Sequence, residues 1–318
     1  VPGPVWGQLS VVVLAGGPSA EREISLQSGR AVVAALRQRG HQVRLVDPLQ
    51  TDLQTYPWKN VDAVFVALHG AFGEDGQVQR LLQELGVPFT GSDADASAVA
   101  FSKSAAKERF AQHDVPTPPY ALVHRSDEPD RLRRTAQALG FPLVVKPDQQ
   151  GSSLGVSWVD SPDQLAAALD ECFQYDAFAV LERAVVGQEW TVALLDETAF
   201  PPIRIVPAAG FFDFRSKYED EKTRYLFPTP EQVVLARTLV ETARAACRAV
   251  GVSGLARGDL RVDQRGQPWV LEINTVPGLT DHSLVPKAAA RAGLSLGELC
   301  EEALVRCLER QEARRRSA

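Results

Sequence analysis

Strand and helix signals alternate from Leu9 to Gly86, and this alternation limits the possible folds more than any other feature of the chain. Leu9 to Ala15 reads as a buried strand ending at Gly16-Gly17. Leu26, Gly29, Val33 and Leu36 then share one side of a helix that stops at Gly40. Val43 to Val46 and Ala63 to Leu68 are further strands, and Val78, Leu81, Leu82 and Leu85 sit at helical spacing before Gly86. Alternating elements predict a parallel sheet with helices on its faces. Ligands of such sheets collect beyond the carboxyl ends of the strands, where Gly16-Gly17 and His69-Gly70 fall.

At 318 residues the chain exceeds one core, so two or three domains are expected. A second unit is predicted after one Ala-rich helix, roughly Asp95 to Gln112, and the linker Pro116-Thr117-Pro118-Pro119. Its strands are Leu143 to Lys146, Val156 to Val159 and Ala179 to Glu182, with a helix through Leu165 and Leu169. A third unit starts near Glu189, with strands through Val192 to Leu195 and Ile203 to Val206. An irregular charged stretch from Phe211 to Phe227 and a helix from about Pro230 to Val250 follow.

Next comes a hairpin. Arg257-Gly258-Asp259 and Val270 to Asn274 read as strands joined through Asp263 to Gln267. Side chains alternate along a strand, so Arg257 shares a face with Asp259, and Glu272 shares one with Asn274. Asp259, Glu272 and Asn274 offer hard oxygen ligands of the kind Mg²⁺ prefers, and Arg257 supplies a fixed cation for developing negative charge. An ordinary exposed strand face is the plainer reading of any one of them. Four on one hairpin, followed by Pro277-Gly278, favour a site.

The loop Gln149 to Gly155 joins two strands, and its small residues permit peptide N–H groups to face phosphate oxygens. Lys146 precedes it and reaches the same region as a point charge. Lys103 is a second candidate cation, although alone it also reads as a solvated helix lysine. Neither a Walker loop nor a G-x-G-x-x-G follows the first strand, so a nucleotide site here is of another type.

A net charge of −6 argues against nucleic-acid binding. No apolar run approaches the length of a membrane span, and Val1 to Gln8 show no signal-peptide core. The four cysteines lack C-x-x-C spacing and read as reduced thiols. Together these predict a cytoplasmic protein without nucleic-acid or membrane partners.

In order along the chain stand Gly16 to Ser25, Leu68-His69-Gly70 with Gly73 to Gly76, and Lys146-Pro147 with Gly151-Ser152-Ser153-Leu154-Gly155. Ser216-Lys217-Tyr218 follow, then the acidic hairpin running into His282-Ser283-Leu284-Val285-Pro286. From about Val11 to Leu308 this set resembles the D-alanine–D-alanine ligases of the ATP-grasp superfamily. The resemblance implies an α/β ATP-grasp fold of three domains, with an N-terminal parallel-sheet domain and two α+β domains clasping ATP. Expected boundaries are 1–97 for the substrate-binding domain, 98–186 for the central subdomain and 187–318 for the C-terminal one.

It further implies that a first D-alanine is phosphorylated by ATP and that a second displaces the phosphate, giving D-alanyl-D-alanine for peptidoglycan. Lys103, Lys146, Gly151, Ser152 and Ser153 would contact ATP phosphates, Glu182, Arg183, Ala184, Val185 and Glu189 its adenosine end, and Lys217 would also meet ATP, near the second D-alanine. Asp259, Glu272 and Asn274 would hold Mg²⁺ or Mn²⁺, two ions in all. Glu21 and His69 would meet the first D-alanine, Arg257 with the Gly278 N–H the oxyanion, and Ser283 and Leu284 the second D-alanine's carboxylate. Glu21, Ser152 and Tyr218 would form a latch over the substrates, and a homodimer is expected.

Arg183-Ala184 stand where close relatives carry Lys-Trp, and Phe101-Ser102 where they carry Met-Asp. Gly258 replaces a β-branched residue. Two other readings are a D-alanine–D-lactate ligase, disfavoured by Tyr218, and a silent ATP-binding module, disfavoured by the intact hairpin set.

Overall fold

The computed structural model of the protein describes residues 7–207 and 223–317. The first unit is as its alternation predicts. β1 (Ser10–Leu14) lies between β2 (Gln42–Val46) and β3 (Ala63–Val66), all parallel. Helix α1 (Arg22–Gln38) turns Val32, Val33 and Leu36 inward and ends before Gly40, whose φ of +92° suits a residue without Cβ. Helix α2 (Gln77–Glu84) buries Val78 and Leu82.

One Ala-rich helix was expected next, but two are present. α3 (Ala94–Phe101) and α4 (Lys103–Gln112) break at Ser102, which is extended at φ −82°, ψ 112°. Ser102 Oγ accepts the Ala105 N–H and donates to Asp148 at 2.7 Å, so a distant acid fixes the break. Lys103 thereby becomes the first residue of α4.

The second sheet runs β4 (Tyr120–His124), β7 (Phe178–Arg183), β5 (Leu143–Pro147), β6 (Ser157–Val159), antiparallel throughout. Helices α5 (Pro129–Leu139) and α6 (Leu165–Cys172) cover it. The third sheet is ordered β11 (Arg224–Leu226), β10 (Ile203–Val206), β8 (Gly187–Leu195), β12 (Leu255–Asp263), β13 (Pro268–Asn274), with β9 (Thr198–Ala199) on β8. The end of the stretch read as irregular is thus strand β11. Helix α7 (Val233–Val250) packs Leu239, Ala243 and Ala246 on this sheet, and Ala106 and Phe110 of α4 join the same core.

Helices α8 (Leu284–Arg291) and α9 (Leu296–Ser317) close the chain, and α9 lies along α1. One apolar cluster joins Val11 and Leu36 of the first unit to Leu195, Ile203 and Leu304 of the last. All four cysteines are buried outside any disulfide, and burial pushes Cys172 and Cys247 up to about 12. Among the described residues, no helix is long and apolar enough to cross a membrane.

Candidate active site

The hairpin β12–β13 is held by antiparallel register and by its turn, where Asp263 Oδ1 accepts the N–H groups of Arg265 and Gln267 at 2.9 Å each. Arg257 lies opposite Asn274, and Asp259 opposite Glu272. Side chains of cross-strand pairs share a face, so all four point the same way. Arg257 grips Asp259 with two donors, at 2.9 and 2.7 Å, and Thr191 of β8 donates to Asp259 at 2.7 Å. Gly258, between them, is buried, and a Cβ there would meet Ala243 of α7 and Cδ1 of Ile273 at 3.3 Å. A side chain at this position would press on α7.

This face floors a cleft with about 1160 Å³ of open space, bounded also by Glu21, His69, Gly151, Ser152, Gly278 and Ser283. A second cleft of about 730 Å³ adjoins it and contains Lys146, Glu182, Val185 and Glu189. Lys103, Gly151, Ser152, Asp259 and Glu272 belong to both. Three separate stretches of chain therefore converge on one elongated space.

Over that space lies the small-residue loop. Ser152 and Ser153 adopt φ of +53° and +57°, a left-handed conformation unusual for side-chain-bearing residues. Ser152 Oγ donates to Oε2 of Glu21 at 2.5 Å. A Cβ on Gly151 would stand 2.4 Å from the other oxygen of Glu21, so glycine lets the carboxylate lie this close to the loop. Lys103 Nζ donates to the Gln150 carbonyl at 2.7 Å and lies 3.9 Å from Glu272.

Lys146 donates to Oε1 of Glu182 at 2.7 Å. Lys146 pairs in register with Val180, which makes Glu182 its diagonal neighbour on the same face. Burial would raise the Glu182 carboxyl, but the ammonium groups of Lys107 and Lys146 together hold it below its ordinary range. Arg183 and Ala184 do not line either cleft. Their N–H groups serve the Pro119 and Pro142 carbonyls, and the Arg183 side chain is exposed.

His69, on the wall of the larger cleft, is fixed by two contacts. Its Nδ1 faces the Val276 carbonyl at 2.9 Å, and a carbonyl only accepts, so this nitrogen carries a proton. Nε2 meets Ser28 Oγ at 3.1 Å, and the same oxygen accepts the Leu279 N–H at 3.3 Å. His69 and Ser28 thus clamp both sides of Gly278. A Cβ on Gly278 would lie 2.8 Å from Ser283 Oγ, which is within 2.9 Å of Thr280 Oγ1. Ser283 and Leu284 begin α8, where the first peptide N–H groups of a helix lack intrahelical acceptors and suit a carboxylate.

Lys217 and Tyr218 lie outside the described residues. Ser28, Lys107 and Thr191 were not singled out by sequence reasoning, because nothing local distinguishes them. Glu74 stood inside a quoted motif, but only the structure shows it enclosed beside His69 at 3.6 Å. Burial, helped by the charge of Glu21, pushes its carboxyl above the ordinary value, against the opposing pull of His69.

Among the described residues, no group of three or more His, Cys, Asp and Glu could hold a metal ion. The oxygen set of Asp259, Glu272 and Asn274 nevertheless suits a hard divalent cation that keeps water and phosphate ligands. Arg257 and Lys103 now stand against those two carboxylates, which shows that the face attracts positive charge.

Family models for the D-ala D-ala ligase N-terminus and C-terminus match residues 47–92 and 110–305. The D-alanine–D-alanine ligase of Gloeobacter violaceus is 42% identical over 95% of this chain and 100% of its own. That of Alkalilimnicola ehrlichii is 43% identical over 96% of each. Among solved structures, the Bacillus anthracis enzyme complexed with ATP superposes with a TM-score of 0.84 at 30% identity, covering 96% of this chain and 99% of that one. The architecture is ATP-grasp. Over nearly its full length, the chain belongs to the D-alanine–D-alanine ligase family.

Proposed function

We propose that this protein joins two D-alanines at the expense of ATP, producing D-alanyl-D-alanine for peptidoglycan precursors, with the residues assembled in the two adjoining clefts. The carrying observation is that the acidic hairpin and the Gly/Ser loop face one shared space. The nucleotide occupies the cleft of Lys146, Glu182, Val185 and Glu189, its phosphates reaching Lys103 and the Gly151 to Ser153 loop. The first D-alanine lies beside Glu21, whose carboxylate accepts its ammonium group.

A carboxylate oxygen of that D-alanine bonds to the γ-phosphorus as the bond to the ADP oxygen breaks. The amine of the second D-alanine then bonds to the acyl carbon, loses a proton, and phosphate departs. Arg257 and the Gly278 N–H hold the oxyanion between these events. Ser283 and the N-terminus of α8 hold the second carboxylate. The Glu21–Ser152 contact closes the loop and keeps water from the acyl phosphate. Asp259, Glu272 and Asn274 would hold two Mg²⁺ or Mn²⁺ ions, which would neutralise phosphate charge during transfer.

Units of 1–97, 98–186 and 187–318, a homodimer and a cytoplasmic setting complete the proposal. The test is product analysis with ATP, D-alanine and D-lactate across pH. Dipeptide should dominate near neutrality, and Tyr218→Phe should raise the depsipeptide share. Dominant depsipeptide from the wild-type protein would overturn the assignment of an amine acceptor.

A further inference from the structure

A charged side chain that the reaction does not touch lies behind the nucleotide cleft. Lys107, on α4, is fully enclosed. Its Nζ stands against Oε2 of Glu182, donates to Oγ1 of Thr117 at 2.6 Å and to the Pro118 carbonyl at 3.5 Å, and lies 5.4 Å from the centre of the Tyr120 ring. Lys107 does not line the cleft. Lys146, on the other oxygen of the same carboxylate, does.

Two ammonium groups thus share one carboxylate. A lone Lys146–Glu182 pair would be neutral as a unit, with little field left for an incoming anion. With Lys107 behind it, Glu182 is already compensated, and the triad carries a surplus positive charge whose cleft-lining end is Lys146. Glu272 of β13 also faces the cluster, but it lies 3.9 Å from Lys103. The arrangement is costly for the protein alone, since burial drags Lys107 down to about 8 despite Glu182. Such an excess of buried cation suits a site that receives a polyanion.

We propose that Lys107 is a positioning residue for nucleotide binding: by holding Oε2 of Glu182 it leaves the charge of Lys146 to the phosphates of ATP. This deepens the proposed function and rests on its assignment of Lys146 to those phosphates. The surroundings favour an electrostatic role over a merely structural one, because Lys146 already meets the charge of Glu182 through Oε1, and a neutral donor would serve the buried Oε2 where a second cation stands.

The test is calorimetric titration of adenosine, ADP and ATP into the full chain and its variants. Lys107→Met should weaken ATP and ADP about tenfold or more while moving adenosine less than about twofold, because only the phosphates sense the lost charge. Lys107→Arg, which keeps the charge, should stay within about threefold of wild type for all three. The double variant K107M/E182Q removes the cation together with the acid it compensates, restoring the net charge of the triad. Its ratio of ATP to adenosine affinity should return close to the wild-type value.

Equal losses for adenosine and ATP in Lys107→Met would overturn the inference, as would a double variant no better than the single one. If Lys107→Met does not fold, the double variant decides alone: a ratio near wild type supports the inference, and one about tenfold lower overturns it. Lys146→Met separates the two levels. Unchanged ATP binding in that variant would remove the phosphate assignment itself, whereas weakened binding there with none in Lys107→Met would sink only the role of Lys107.

Discussion

Ser152 and Glu21, 131 residues apart in the chain, are joined by a 2.5 Å hydrogen bond, with the hydroxyl donating to Oε2. The serine belongs to the loop over the cleft and the glutamate to the start of α1 in the first unit. The contact needs two local conditions, a left-handed backbone at Ser152 and no side chain at Gly151. The loop is therefore held shut from outside its own sheet.

Gly151→Ala tests this closure directly. Its methyl carbon would fall 2.4 Å from Oε1 of Glu21, so the carboxylate must shift from its present position against the loop. Turnover should drop about 10–100-fold, and ADP release should exceed dipeptide formation as water reaches the acyl phosphate. Parallel assays of ADP and dipeptide check it. Unchanged turnover with the two still in step would mean that closure does not depend on this contact.

Glu272→Gln should impair metal-nucleotide use more than folding. Its carboxylate is partly exposed and lies 3.9 Å from the Lys103 ammonium, so the melting temperature should change little. The Mg²⁺ concentration needed for half-maximal turnover should rise about 10–100-fold. A magnesium titration of the steady-state rate reads this. Normal turnover at ordinary Mg²⁺ would remove Glu272 from the ligand set.

Glu74→Gln should alter how stability depends on pH. Burial, with Glu21 nearby, holds the Glu74 carboxyl above its unfolded value of 4.5, so the folded state binds the proton more tightly. Its contribution is complete below 4.5 and is lost as pH rises through the higher folded value. Melting curves from acid to neutral pH should show the wild type losing stability relative to Glu74→Gln. A constant difference between the two proteins would refute the upward shift of the Glu74 carboxyl.

Ser28→Ala should act on catalysis through the Gly278 loop. The hydroxyl bridges His69 Nε2 and the Leu279 N–H, and its loss leaves both without that partner. About 1–3 kcal/mol of stability should go, with kcat falling about tenfold and KM for ATP unchanged. Turnover and thermal unfolding measured on one preparation separate the effects. Full kcat in a destabilised protein would show that the clamp serves folding alone.

Much of the site was readable because strand spacing sets faces. Arg257, Asp259, Glu272 and Asn274 could be grouped from their alternation, and the observed register brings them opposite one another. The alternation before Gly86 likewise placed the parallel sheet and its glycine-marked strand ends. Residues whose roles are set by distant partners were not legible. Ser102 looks like ordinary helix interior, and only Asp148 explains the break there. Strand β4 and helix α5 went unrecognised, although Leu132, Ala136 and Leu139 lie at helical spacing and face the second sheet, because charged residues fill the rest of that short helix. Lys107 is indistinguishable in sequence from a solvated helix lysine, because its enclosure comes from Glu182, Thr117 and Pro118.

The bridge from His69 and Ser28 to Val276 and Leu279 bears on how this chain can be recombined with its relatives. An exchange of the amino-terminal segment transplants more than a holder for the first substrate. It also replaces the splint on which a carboxy-terminal loop is set, and a hybrid would inherit that loop's alignment from whichever parent donated positions 28 and 69.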